Sequence, residues 1–164
     1  MPTRSRLCFC NDEVYQFIGE RPPSFACYAD MLRRQAAGAP PDTGDEQRLN
    51  FAVRHRESGK LLGQLQATVH DGLAEIAFLF GPAHWGQGYA TEGVRWLHRL
   101  LLARQQPLSL WATAFPGNQR SCALLRRCGY VEVPIDAMPR LLSYDEGDVV
   151  FTSNQIYFNR SLIS

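Results

Sequence analysis

Ala74-Glu75-Ile76-Ala77-Phe78-Leu79-Phe80-Gly81-Pro82-Ala83-His84-Trp85-Gly86-Gln87-Gly88-Tyr89-Ala90-Thr91-Glu92-Gly93-Val94 decides how the rest of the sequence is read. Ala74 to Phe80 is a short apolar run bounded by the turn signals Asp71-Gly72 and Gly81-Pro82, which predicts a strand. From Thr91 on, Val94, Leu97 and Leu101 recur at three- and four-residue steps, with Ala90 one turn earlier, which predicts a helix. The small residues between them let the backbone approach a ligand, and the first helical turn offers N–H groups without internal partners. Such a turn suits a phosphate or pyrophosphate, although a glycine pair before a helix is also ordinary punctuation.

The common nucleotide motifs do not fit. There is no Gly-Lys-Ser/Thr, hence no P-loop, and Gly86-x-Gly88-x-x-Thr91 lacks the third small residue of the dinucleotide fingerprint. A second stretch decides the matter. After the strand-like Leu108 to Ala114 comes Asn118-Gln119-Arg120-Ser121-Cys122-Ala123-Leu124-Leu125-Arg126-Arg127-Cys128-Gly129-Tyr130, a capped helix closing on glycine and an aromatic.

Together the two stretches resemble the GNAT superfamily of acyl-CoA-dependent N-acetyltransferases. That family carries Gln/Arg-x-x-Gly-x-Gly/Ala in the first loop and Asn-x-x-Ser/Ala followed by Gly-Phe/Tyr in the later helix. Trp85 stands here in place of the leading Gln or Arg. Gly86-Gln87-Gly88-Tyr89-Ala90-Thr91-Glu92 is similar to the branch of ribosomal-protein N-terminal acetyltransferases (RimL type). The resemblance runs from about Leu49 to Phe158.

The resemblance implies that the amides from Gly86 to Thr91 (Gly86, Gln87, Gly88, Tyr89, Ala90 and Thr91, next to Trp85) take the pyrophosphate of acetyl-CoA. It implies that backbone groups of Phe78 and Phe80 pair with the pantetheine arm, the two side chains packing in the core. Asn118 is expected to meet the pantetheine, to cap its helix, or both. Ser121 is expected to contact the leaving thiolate; a serine in a first helical turn also commonly bonds the backbone. Many relatives place a tyrosine acid where Leu125 stands here.

Glu75 is the first candidate for a general base, with a solvent-facing strand carboxylate as the alternative. His84 and Glu92 flank the loop, Glu92 favouring the helix N-terminus, and His70 reads as a strand-end residue. An α-amine with a pKa near 8 could lose its proton to water without a protein base. Arg120, Arg126 and Arg127 are candidates for the ribose phosphate, or form a solvated helix face.

Reading outward, the 164 residues suit a single domain over 1–164 with an ordinary globular composition, 45% hydrophobic, 20% charged and net charge +1. Nothing suggests a nucleic-acid surface, a secretion signal or a membrane span, so a cytoplasmic protein is expected. The five cysteines, Cys8, Cys10, Cys27, Cys122 and Cys128, have neither disulfide-framework nor zinc-site spacing; no metal is expected.

Asn11 to Ile18 predicts a short helical segment, and Ser24 caps a helix with a stripe of Phe25, Tyr28, Met31 or Leu32, and Ala36, stopped by Gly38. By resemblance this helix walls the acceptor site. Ala39 to Glu46 reads as a connector or a flap. Phe51, Val53 and His55, then Leu61 to His70, then the central strand form a meander, with a turn at Glu57 to Lys60 and a hairpin at Asp71-Gly72. Val131 to Val133 reads as a strand, Pro134 to Leu142 as irregular, and Asp148 to Phe158 as a last strand. The fold class expected is α/β, a GNAT fold whose mixed, mostly antiparallel central sheet carries helices on both faces.

Relatives begin with a full strand that only Arg6 to Cys10 could supply, so the first strand is expected to be short or missing. An exposed neighbouring edge would favour a homodimer. The activity expected is transfer of an acetyl group from acetyl-CoA to a primary amine, an α-amine of a protein or peptide or a small-molecule amine, by direct attack on the thioester. The alternative is a non-catalytic acyl-CoA-binding or regulatory protein of the same fold.

Overall fold

The structure is a computed structural model that describes residues 12–17, 24–37, 44–104 and 109–153. Two helices, α1 (Asp12–Tyr15) and α2 (Phe25–Ala36), precede three strands, β1 (Gln47–Arg54), β2 (Leu61–His70) and β3 (Leu73–Phe80). Then follow α3 (Tyr89–Ala103), β4 (Ser109–Ala114), α4 (Gln119–Arg127), β5 (Val131–Val133) and β6 (Val149–Ser153). They form one sheet in the order β1-β2-β3-β4-β6-β5, in which β3 and β4 are parallel and every other pair antiparallel.

Local chemistry explains the meander. Asp71 (φ 46°) and Gly72 (φ 74°) are both left-handed, the pair of angles a two-residue type I′ hairpin needs, so β2 and β3 run back to back from His70↔Leu73 to Gly63↔Phe80. A parallel return to β4 requires a crossover, and α3 supplies it. Its stripe of Val94, Leu97 and Leu101 is buried against Leu65, Ala67, Ile76 and Leu110 of the sheet.

Helix α4 is closed at both ends. The Asn118 carboxamide oxygen accepts from the Ser121 N–H at 3.1 Å. At the other end the Tyr130 N–H bonds the Leu125 carbonyl and the Gly129 N–H bonds that of Arg126, with Gly129 at φ 89°. This is a Schellman motif, and its apolar contact is made by the buried Leu125 and Tyr130.

The opposite face of the sheet carries a smaller cluster, Leu73, Trp111 and Val150 under Val133, Met138, Leu141 and Tyr144. Residues 134–148 therefore act as a strap across that face, and α2 packs beside β1 on the same side. Met31 and Leu32 of α2 are half-buried. The expected strand at Arg6 to Cys10, the side chains of Phe25, Tyr28 and Ala36, the stop at Gly38, and the continuation of the last strand to Phe158 lie outside the described residues. Among the described residues no helix is long and apolar enough to cross a membrane.

One polar pair sits within the main core. His98 of α3 and the Tyr130 hydroxyl are 2.8 Å apart and both nearly inaccessible. Burial lowers the His98 pKa from 6.5 to about 4 and pushes the Tyr130 phenol up. The unfolded chain takes up the imidazole proton first as the pH falls. The stability tied to neutral His98 is thus complete above 6.5 and drains as the pH drops toward 4, a loss on the order of 3 kcal/mol. Melting temperatures measured from about pH 7 to about pH 5 should fall. His98→Gln, which keeps a neutral partner for Tyr130, should flatten that slope; an unchanged slope would exclude His98 as its source.

Candidate functional site

The site begins where the sheet comes apart. β3 and β4 pair only at Leu73↔Ser109, Ala74↔Leu110 and Glu75↔Trp111, and beyond Glu75 they separate. The Gly81 N–H bonds the Leu62 carbonyl of β2 at 3.1 Å. Because successive residues of a strand turn their N–H and C=O to opposite edges, Phe80 and Phe78 turn theirs toward the gap. The Phe80 carbonyl accepts the Trp85 indole N–H at 2.8 Å, while the Phe78 backbone faces no strand among the described residues. Both phenyl rings pack on the core, Phe80 buried and Phe78 half-buried.

The end of β3 leads through a 3-10 turn, Pro82–His84, to Trp85 and then the glycines. Gly86 (φ 72°) and Gly88 (φ 84°) are left-handed, and a Cβ at either would meet nothing within 4 Å. Gly88 caps α3 without a side-chain bond, and the first intrahelical bond runs from the Glu92 N–H to the Gly88 carbonyl. The N–H groups of Tyr89, Ala90 and Thr91 are left over, aimed with the positive end of the helix. Gln87 bonds back to the Ala83 carbonyl at 2.8 Å, so this residue offers the loop its backbone. His84 meets the Tyr89 ring edge-on.

Arg120, at the start of α4, stacks its guanidinium 4.2 Å over the Trp85 ring. Trp85 thus links three parts: β3 through Phe80, the glycine loop through the chain, and α4 through Arg120. Arg127 reaches the Thr91 hydroxyl at 3.3 Å, and Arg126 is paired with Glu132. Of the three arginines expected near a ribose phosphate, two are engaged by the protein, and Arg120 is exposed beside the loop. Open space over two glycines, a first helical turn whose N–H groups have no partner among the described residues, and a nearby cation suit an anion such as a phosphate.

On α4, Asn118 spends its oxygen on the cap, and the half-buried Ser121 hydroxyl has no hydrogen-bond partner among the described residues. Leu125 is a core side chain, 1% exposed, and has no proton to give.

Glu75 is not the solvent-facing carboxylate that a strand position also allowed. It is 4% exposed and accepts from the Leu142 N–H (2.6 Å), the Ser143 N–H (2.9 Å), the Ser143 hydroxyl and His70 Nε2 (2.5 Å). Burial by itself would raise its pKa, but the bonds from Ser143, Leu142 and His70 outweigh that and lower it. His70, expected as a mere strand end, is buried between two carboxylates, with Nδ1 2.9 Å from Asp71. Burial would lower its pKa; the contacts to Asp71 and Glu75 overcome this and raise it. The Thr113 hydroxyl, on β4, donates to the Ser143 carbonyl at 3.0 Å. Ser143 is therefore held from β3 and β4 at once, next to the gap. No sequence motif marked Ser143 or its tie to Glu75; the Asp71/Glu75 spacing around a hairpin was the only local sign for His70.

Beside this knot, a cleft of about 540 Å³ opens on the strap side, between α2, β1, β2, β3 and the strap. Glu75, Ile76 and Ala77 form its floor where β3 leaves β4. Among the described residues no group of three or more His, Cys, Asp or Glu is placed to hold a metal ion.

The family profile described as the acetyltransferase (GNAT) domain matches residues 4–131. No curated protein matches the chain. A GNAT-family acetyltransferase from Bacillus anthracis superposes with a TM-score of 0.70 at 16% identity, covering 88% of this chain and 82% of its own. Spermidine N-acetyltransferase from Vibrio cholerae, in complex with CoA and spermine, gives 0.62 at 16% identity over 88% and 83%. A proposed ribosomal-protein-serine acetyltransferase from the same organism gives 0.58 at 23% identity over 76% and 69%.

Replacing Glu75 tests the knot. Glu75→Gln removes the charge that four donors share, and should cost roughly 2 kcal/mol, about 4 to 8 °C in melting temperature for a chain of this size. Glu75→Ala, which strands the Leu142 and Ser143 N–H groups and His70, should cost more. A melting temperature unchanged in both would remove Glu75 as the anchor of the strap.

Proposed function

Because the chain belongs to the GNAT acetyltransferase family, we propose that it transfers the acetyl group of acetyl-CoA to a primary amine by direct attack on the thioester, the acetyl-CoA acting as co-substrate. The observation that carries this reading is the conjunction of the β3–β4 gap with the glycine loop and the bare first turn of α3. When bound, acetyl-CoA supplies an activated carbonyl.

The residues of this chain would do the remaining work. The amides from Gly86 to Thr91, with Trp85 holding the loop and Arg120 near it, bind the phosphates. The unpaired backbone of Phe78 binds the pantetheine arm as an added strand would, next to Phe80, and an N–H there polarises the carbonyl oxygen. Asn118 fixes the start of α4, and Ser121, whose hydroxyl has no partner among the described residues, relays to the departing sulfur the proton that the attacking nitrogen sheds.

Glu75, first candidate for the base, has its lone pairs occupied and its pKa lowered, so in this reading it holds the strap that borders the acceptor cleft. An α-amine with a pKa near 8 loses its proton to water, and such an acceptor, on a protein or peptide, is favoured here over a small-molecule amine. The likeness of this chain to a proposed ribosomal-protein-serine acetyltransferase supports a RimL-type relationship. A cytoplasmic location and a homodimer belong to the same reading, the dimer supported by β1, an edge strand among the described residues. Leu125 and Trp85 favour a second reading, an acyl-CoA-binding protein without turnover.

A thermal melt decides the co-substrate. At about a hundred times its dissociation constant a ligand adds roughly 2.7 kcal/mol, on the order of 5 to 10 °C here. Acetyl-CoA should produce that shift and ATP or NAD should not; no shift, or an equal shift with ATP, overturns the reading.

Ser121→Ala should leave the shift intact and lower kcat by about a hundredfold or more. An unchanged kcat removes Ser121 from the chemistry, and a shift with no turnover on any amine favours the binding protein.

A further inference from the structure

The cleft beside the gap has a sign. Among the described residues its ionisable lining consists of Arg34 from α2, Glu46 and Arg48 at the start of β1, and Glu75 from β3. Glu75 is buried and shared among four donors, one of them His70. Glu46 takes the Nε of Arg48, at 2.5 Å, and the Arg48 terminal nitrogens are outside that bond. Arg34 is exposed and has no ion-pair partner among the described residues, whereas its neighbour Arg33 is paired with Asp30. Two guanidiniums thus line the cleft with one partly satisfied carboxylate, and among the described residues no uncommitted carboxylate lines it to receive a second ammonium.

The sheet register gives a distance. Arg48 lies opposite Thr68, and Thr68 lies opposite Glu75, so one cross-strand row leads from the cationic mouth to the point where β3 leaves β4. Two strand spacings make that row roughly 10 Å long. An extended peptide advances about 3.3 to 3.6 Å per residue. Its α-amine at the gap would therefore bring the side chain of its second or third residue to Arg48 and Arg34.

From this we infer the class of acceptor: an α-amine whose chain carries a carboxylate about two or three residues away, that is, an acidic N-terminal segment and not a polyamine. The inference rests on the acetyltransferase reading above and specifies its acceptor. A guanidinium pair grips a carboxylate in two-point fashion, while a polycation would place its distal ammonium against Arg34 and Arg48.

The test uses the full chain with acetyl-CoA and measures CoA release, with product mass, on three acceptors: the peptides Ser-Ala-Asp-Ala-Ala and Ser-Ala-Lys-Ala-Ala, and spermidine. The acidic peptide should exceed both others at least tenfold in kcat/KM. Arg34→Glu should raise its KM about tenfold while kcat and the acetyl-CoA melting shift stay unchanged, and added salt should raise the wild-type KM. Equal or better turnover of the lysine peptide or spermidine overturns the inference, as does an Arg34→Glu enzyme with unaltered KM. A normal acetyl-CoA shift without turnover of the acidic peptide overturns it as well. Failure of the underlying reading is seen separately, as the absence of any melting shift with acetyl-CoA.

Discussion

The structure depends on a parallel contact that stops early. β3 and β4 share three residue pairs and then part, leaving the gap-facing edge of β3 at Phe78 without a neighbouring strand among the described residues. An unpaired backbone edge inside a sheet is costly unless something completes it. Here the parting is held open by two fixtures. Behind the gap, the buried Glu75 carboxylate gathers Leu142, Ser143 and His70, while Thr113 takes hold of Ser143 from the other strand. Ahead of it, Trp85 clamps the Phe80 carbonyl and carries Arg120 of α4 on its ring.

Those fixtures also define three zones around one opening. On the helix side lie the left-handed glycines and the bare first turn of α3, a place for negative charge. At the opening itself stand the Phe78 backbone and the end of β4 that leads to Ser121. On the strap side lies the cleft with Arg34 and Arg48. A ligand laid along β3 from the first zone would present its end to an acceptor arriving from the third. The two clusters of core residues on opposite sheet faces keep these zones apart, since each face is sealed by its own cover, α3 and α4 on one side and the strap on the other.

Much of this was legible because it is local. The Asp71-Gly72 hairpin, the α3 stripe, the Asn118 cap and the Gly129-Tyr130 ending are each set by a few neighbouring residues whose backbone angles or hydrogen bonds admit few alternatives. The expected strands at 61–70 and 131–133 were found with the same bounds, and the last strand was found over Val149–Ser153. What was not legible joins residues far apart in the chain. Glu75 to Ser143 spans sixty-eight positions and Thr113 to Ser143 thirty; neither leaves a periodic trace. The same holds for His98, whose partner Tyr130 comes from thirty-two positions away.

By itself, then, the sequence determined the order and kind of the elements, the turn chemistry that makes the meander, and the family through two linked motifs, because these rest on short-range sterics and on spacing. Tertiary structure alone decided the state of the charged groups. It buried the Glu75 carboxylate among four donors, set Arg127 against the Thr91 hydroxyl and Arg126 against Glu132, and gathered Arg34 and Arg48 at one mouth. Charge and protonation depend on which groups meet across the fold and how much water they lose, and no local pattern encodes either.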